Sequence, residues 1–216
     1  MIPYKDLQKR GKFPLCTFVL ILANLALFSY ELSLSSTALP SWMERHGFTP
    51  GRFEPLDAVT GLFIHGSWLH LVANMLYLWV FGRKVENRLG FRNFFWFYFA
   101  SGLVATVSQT MIDRGSLIPQ IGASGAVAGI LGYYLRLAPR SLIGVIVPIF
   151  IFFKRIILPA WLVLFIWFLV QLLQGFSSLT TTAGGGTAFF AHIGGFLFGL
   201  LAGPLFDPLK TGQKRK

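Results

Sequence analysis

The sequence predicts an all-α membrane protein: a bundle of six transmembrane helices with its N-terminus in the cytoplasm. Three observations predict it. Of 216 residues, 54% are hydrophobic and only 12% are charged, against about 25% charged in soluble domains, and the mean hydropathy is +0.63. Apolar windows of a length suited to crossing ~30 Å of hydrocarbon recur along the chain. The basic residues fall unevenly between alternate connections.

Spans are expected at 14–31, 68–83, 91–112, 123–137, 156–173 and 188–206. The first follows Lys5, Lys9, Arg10 and Lys12 and looks like a signal peptide, but no small-x-small cleavage site comes after it. It reads as a retained span. The second and fourth are short, so they should extend by a few residues or have ends shielded by other helices. The apolar piece 142–153 contains Pro148 and runs into Lys154 and Arg155. At about 12 residues it is too short to cross, and reads as a cytoplasmic or interfacial connection.

With the N-terminus inside, Arg45, Arg52 and Arg114 are the only external residues of the 19 Lys and Arg. The net charge of +11 is then a topology signal with some attraction to anionic lipid heads, not a nucleic-acid footprint. Residues 1–13 form a cytoplasmic segment, 14–206 one membrane domain and 207–216 a basic cytoplasmic tail. Cys16, the one cysteine, excludes an internal disulfide framework and a cysteine-rich metal site. The external loop 33–64 carries Trp42, Phe48 and Phe53, rings suited to the interface. The connector 175–187 has four glycines and no charge, a composition expected to move.

Polar groups inside membrane helices are costly and default to functional hypotheses. The second span has His65, His70 and Asn74, the fourth Ser124 and the sixth His192. The charge rule starts all three spans on the external side, so His70, Asn74, Ser124 and His192 share one leaflet. His70 and Asn74, four apart, stack on one helix face. Gly125 and Gly129 on the fourth span, and Gly195, Gly199 and Gly203 on the sixth, have the four-residue spacing that lets backbones approach closely in lipid. Such closeness would bring the short Ser124 side chain to His192, a nucleophile and its base. Ser124 sits at a helix N-terminus with free N–H groups, and His70 and Asn74 are further donors for an oxyanion. Within the predicted spans the only carboxylate is Glu31, so a dyad is indicated rather than a triad. A serine among glycines can also be a packing residue, and His70 alone a structural one. His65 reads as structural and His46 as a loop residue. Ser101 and Gln109, on one face of the third span, would hold water near the site or simply form a polar helix end.

The stretches HGSWLHLVANMLYLWVFG, GASGAVAGILG and AHIGGFLFG resemble, in order, the three signature elements of the rhomboid family of intramembrane serine proteases. LPAWLVLFIWFLVQLLQG resembles that family's fifth helix. The resemblance implies Ser124 as nucleophile, His192 as general base, and an oxyanion hole of His70, Asn74 and the Ser124 backbone N–H. It also implies transmembrane protein substrates that arrive sideways, past a mobile fifth helix and its cap loop. Two positions depart from the family pattern. Leu56 and Asp57 stand where many members carry a Trp-Arg pair, and Ala128 stands where some place an aromatic ring against the base.

The expected function is therefore endoproteolysis within the membrane, with no metal or organic cofactor and with membrane lipids and protein substrates as partners. A catalytically inactive rhomboid-like binder of membrane helices is the alternative, although such proteins typically lack the Ser or the His. A bis-histidine haem protein built on His70 and His192 lacks the paired histidines on both membrane sides that two haems need. Small size points to a bacterial inner membrane, with an organelle membrane as the other option.

Overall fold

The computed structural model describes residues 1–8, 11–149, 152–180 and 188–209. A short strand β1 (Ile2–Asp6) precedes helix α1 (Leu15–Ser33). The loop beyond it holds α2 (Ala38–His46), then α3 (Asp57–Thr60) running into a 3-10 turn, Gly61–Phe63. The next helix is continuous in three parts: α4 (Trp68–Tyr77), a π turn (Leu78–Gly82) and α5 (Arg83–Leu89). Then come α6 (Phe91–Ile112), α7 (Ser124–Leu137), strands β2 (Leu142–Ile149) and β3 (Phe152–Pro159), α8 (Ala160–Thr180), and α9 (Phe189–Ala202) with a 3-10 turn, Gly203–Phe206. By length and composition, Leu15–Ser33, Ala160–Leu179 and Phe189–Phe206 are long and apolar enough to cross a membrane.

Helix α7 is the centre of the bundle. Its 14 residues extend about 21 Å at 1.5 Å per residue, short of the hydrocarbon thickness. All residues from Gly125 to Tyr134 are buried, so its surface is covered by protein rather than lipid. Its packing partner α9 touches it backbone to backbone. A Cβ added at Gly195 would collide with the carbonyl oxygen of Gly125, one at Gly199 with that of Gly129, and one at Gly132 with that of Phe196. Gly203 faces the Tyr133 ring instead, and Gly132 extends the contact beyond the four-residue pattern.

Buried carboxylates fix the helix ends around this pair. Glu86 of α5, 5% exposed, accepts from the N–H groups of Cys16 and Thr17 at 2.8 Å each and from the Thr17 hydroxyl at 2.7 Å. It caps α1 from another helix, satisfying free N–H groups with a charge that suits the helix dipole. This tie explains why the second helical segment continues to Leu89 rather than ending at Arg83. At the other end of α1, Glu31 accepts from the N–H groups of His65 at 3.1 Å and Gly66 at 2.9 Å. Asp207, after the last 3-10 turn, takes Arg88 Nε at 2.7 Å and the Tyr133 hydroxyl at 3.0 Å.

The fold is not purely helical. Strands β1, β2 and β3 form an antiparallel sheet in that order, and the 142–153 piece is mostly β2 and the start of β3. Ile143 and Val145, two apart and so on one face of the strand, join the hydrophobic core, while Gly144 between them is covered by the Tyr4 ring on the other face. Pro148 pairs with Phe153 beyond the last β1 partner, Ile146, so no neighbour on that side needs its missing N–H. The strand Phe152–Pro159 also moves the start of the fifth long helix from 156 to Ala160. The sheet is fastened to the bundle by the Tyr134 hydroxyl donating to Asp6 at 2.6 Å and Lys84 Nζ donating to Ser141 at 2.7 Å. Of the connector 175–187, residues up to Thr180 are helical; 181–187 and the tail 210–216 lie outside the described residues.

Two outcomes follow. Gly199→Val should cost about 3 kcal/mol or more by overpacking a contact whose other side is backbone. Gly115→Ala, where a Cβ meets nothing within 4 Å, should stay within about 0.5 kcal/mol of the parent; thermal unfolding in detergent compares them. For Asp207, burial opposes ionisation, but hydrogen bonds from Arg88, the Leu209 N–H and Tyr133 outweigh it and hold the carboxyl below its ordinary value. A depressed carboxyl stabilises above its unfolded pKa of ~3.9 and loses that contribution as pH falls through the folded value. Asp207→Asn should therefore melt below the parent at neutral pH, with the gap closing under acid conditions beneath about pH 4.

Candidate active site

Ser124 is the first residue of α7, and Ala123 is its N-cap. The chain reaches it through Gly122 at φ +107°, a conformation open to glycine. The Gly122 N–H donates to the Gly61 carbonyl at 2.8 Å, and Phe48 and Gln120 exchange backbone hydrogen bonds at 3.2 and 2.7 Å. The long loop after α1 thus braces the segment that delivers the serine. As the first residue of the helix, Ser124 has a backbone N–H among the four without an intrahelical acceptor.

Gly122 also sets the approach of the second helix. A Cβ there would lie 2.5 Å from Cε1 and Nε2 of His70 and 3.6 Å from Nδ2 of Asn74. Both side chains therefore point at the backbone just before Ser124. Ser67 caps α4 by accepting from the His70 N–H at 3.3 Å. His70 Nδ1 lies 2.9 Å from the His65 carbonyl oxygen; a carbonyl only accepts, so Nδ1 carries a proton. His70 Nε2 can then donate only when the ring is doubly protonated. Asn74 needs no such condition. Its Nδ2 is buried without a hydrogen-bond partner among the described residues, a desolvated donor of the kind that requires an explanation.

His192 lies in the first turn of α9 and is 8% exposed. The start of that helix is held by Gln109 of α6, whose Oε1 accepts from the N–H groups of Phe190 at 3.1 Å and Ala191 at 3.3 Å. Gln109 is thus a cap supplied by another helix, and the Ser101 hydroxyl donates to its own helix at Phe97, 2.7 Å away. His192 Nδ1 is 2.7 Å from Oε1 of Gln171 on α8. The Trp167 ring, one turn before Gln171, lies 6.1 Å from the His192 ring. An aromatic neighbour therefore reaches the histidine from α8, where position 128 on α7 offers only alanine.

The Gly125–Gly195 backbone contact brings the start of α7 against the first turns of α9. Among the described residues, no hydrogen bond joins Ser124 to His192; the two helices meet through their backbones beside these side chains. A cavity of about 30 Å³ opens there, lined by Ser124, Gly122, Gln120, Thr106 and Ala191 among others. It is roomy enough for a water molecule, and its mostly apolar wall carries a few polar groups, among them Ser124, Gln120 and Thr106. His65 stays structural in position, with Nδ1 at 3.1 Å from the Phe63 carbonyl, while His46 packs on Trp42 in the loop. Asp57 pairs with Arg52 at 3.6 Å, a loop ion pair. Among the described residues no cluster of three or more His, Cys, Asp or Glu could hold a metal.

Gln171 and Glu86 escaped the sequence reading, while Gln109 and Glu31 were noticed without their capping roles. Gln171 and Gln109 are lone amides in apolar helices, a detectable signal. Glu86 was hidden among charged neighbours at a helix end, and Glu31 was visible only as an isolated carboxylate.

Comparison with known proteins supplies the family. The Rhomboid domain family model matches residues 52–208. The chain is 30% identical over 151 residues to the mitochondrial presenilin-associated rhomboid-like protein A of Danio rerio, covering 67% of this chain and 36% of that protein. It is 28% identical over 165 residues to the mitochondrial rhomboid protein 1 of Saccharomyces cerevisiae, covering 74% and 44%. A rhomboid protein of Bacillus subtilis is 27% identical over 126 residues, 57% of this chain and 62% of its own. The chain thus spans less than two thirds of each of these relatives.

Proposed function

Because the chain belongs to the rhomboid family, we propose that it is an intramembrane serine endopeptidase working through a Ser124–His192 dyad. The observation that carries this reading is the glycine-mediated contact of α7 with α9, which leaves a helix-terminal serine and a buried histidine on adjoining turns. Ser124 Oγ attacks a peptide carbonyl as His192 Nε2 takes its proton. The same histidine then protonates the leaving amine, and water releases the acyl group. The missing hydrogen bond closes when substrate is bound, as catalytic contacts of empty sites often do. The negative oxygen of the intermediate is met by Asn74 Nδ2 and the Ser124 N–H, with His70 contributing when its ring is doubly protonated. The small cavity beside Ser124, with Gln120 and Thr106 in its wall, supports a place for the hydrolytic water.

The surroundings follow the same reading. Six helical segments cross the membrane with the N-terminus inside; the short α7 does so within a sleeve of other helices. The site lies toward the external side, and substrates are transmembrane proteins whose peptide backbone is exposed near it. A membrane location is supported by the family and by the long apolar helices. The bacterial inner membrane rests on small size alone, since two of the compared relatives are mitochondrial by name. A non-catalytic rhomboid-like role remains the competing reading, and turnover decides between them.

A fluorophosphonate probe should label the detergent-solubilised protein, and Ser124→Ala should abolish both labelling and cleavage of a single-span reporter. Undiminished cleavage by that variant refutes the dyad. Asn74→Ala should lower kcat by about 100-fold or more, the cost of removing one oxyanion donor, while substrate binding stays near the parent value in a steady-state assay.

A further inference from the structure

Among the described residues no carboxylate makes a hydrogen bond or ion pair with His192. The atom that meets Nδ1 is Oε1 of Gln171, at 2.7 Å, and Gln171 is itself 8% exposed. We infer that Gln171 is the positioning residue of the base: it accepts the Nδ1 proton and so keeps the Nε2 lone pair free for Ser124. The inference rests on the dyad reading above.

A neutral imidazole has one N–H, and the hydrogen bond made by one nitrogen decides what the other can do. An amide oxygen accepts and cannot donate. With Oε1 on Nδ1, the proton is confined there and Nε2 presents a lone pair. Without that acceptor the proton is free to occupy Nε2, where the ring cannot take one from serine. Trp167, on the same face of α8 and one turn away, stands against the ring and limits its rotation. The stacked pair Phe168–Phe196, with centroids 4.5 Å apart, seats α8 on α9 beside this bond.

The location has a mechanistic consequence. Gln171 rides on neither helix of the dyad but on α8, of whose apolar window only 22% is buried, against 33% for α1 and α9. Displacing α8 from α9 withdraws Oε1 from the histidine. The base is therefore competent only while α8 is seated, and a substrate that enters past this helix is cut after the helix has closed again.

The test uses the full-length protein in detergent. Gln171→Met keeps the size and apolar fit but removes the acceptor, while Gln171→Glu keeps an acceptor at the same reach. Gln171→Met should lower kcat by roughly 10- to 100-fold, as for loss of an orienting partner, with KM unchanged; Gln171→Glu should restore kcat to within a few-fold of the parent. With imidazole-15N histidine, the signal that disappears in His192→Ala should report a proton on Nδ1 in the parent and a shift of population toward Nε2–H in Gln171→Met. Parent-like kcat in Gln171→Met, or an Nε2–H ring in the parent, overturns the inference. Should Gln171→Met fail to fold, the parent spectrum and the Gln171→Glu kinetics still decide, loss of kcat in Gln171→Glu counting against it. Ser124→Ala is assayed alongside: cleavage surviving there sinks the dyad itself, whereas a dead Ser124→Ala beside a fully active Gln171→Met sinks only the role of Gln171.

Discussion

Everything in this structure is arranged around the glycine seam between α7 and α9. In lipid the tails are as apolar as the side chains, so helices gain little from burying leucine and associate through close packing. Gly195 and Gly199 press on the carbonyls of Gly125 and Gly129, and Gly132 on that of Phe196, leaving no room for a Cβ, while Gly125 and Gly129 themselves are closed off by Ala105 and Ser101 of α6. The seam lets a helix too short to reach across the hydrocarbon stand wholly enclosed by protein. It also sets the first turn of α7 against the first turns of α9.

The polar groups obey a second rule, that a buried charge or amide must be met in full. Glu86 and Glu31 satisfy backbone N–H groups at the start of α1 and in the turn before α4. Gln109 does the same for α9. His65 Nε2 and Asn74 Nδ2 are buried side-chain atoms without a hydrogen-bond partner among the described residues. Of these it is Asn74 Nδ2 that lies beside the glycine leading into Ser124.

Much of the site was legible because lipid makes polarity conspicuous. Ser124, His192, His70 and Asn74 could be named as exceptions within apolar segments, and the charge asymmetry of the loops predicted a common depth for them. Gln171 was equally exceptional but looked like an ordinary residue of the fifth helix, since nothing local tells which face of α8 meets α9. Glu86 was obscured by Arg83, Lys84 and Arg88 around it. The sheet was missed for a different reason. The stretch 142–149 is apolar throughout with no polar alternation to mark a strand, Pro148 suggested a connection, and a strand becomes stable only with partners, here β1 and β3.

By itself the sequence determined the membrane class, most of the long helices, the glycine spacings and a short set of polar side chains within apolar segments. These follow from local properties: hydropathy, period and the cost of polarity in hydrocarbon. The tertiary structure decided which glycines actually meet, which carboxylate caps which helix, and that the partner of His192 arrives from α8. Those are contacts between segments 20 to 70 residues apart. They depend on the rotation and depth of each helix, which packing settles and residue order does not encode locally.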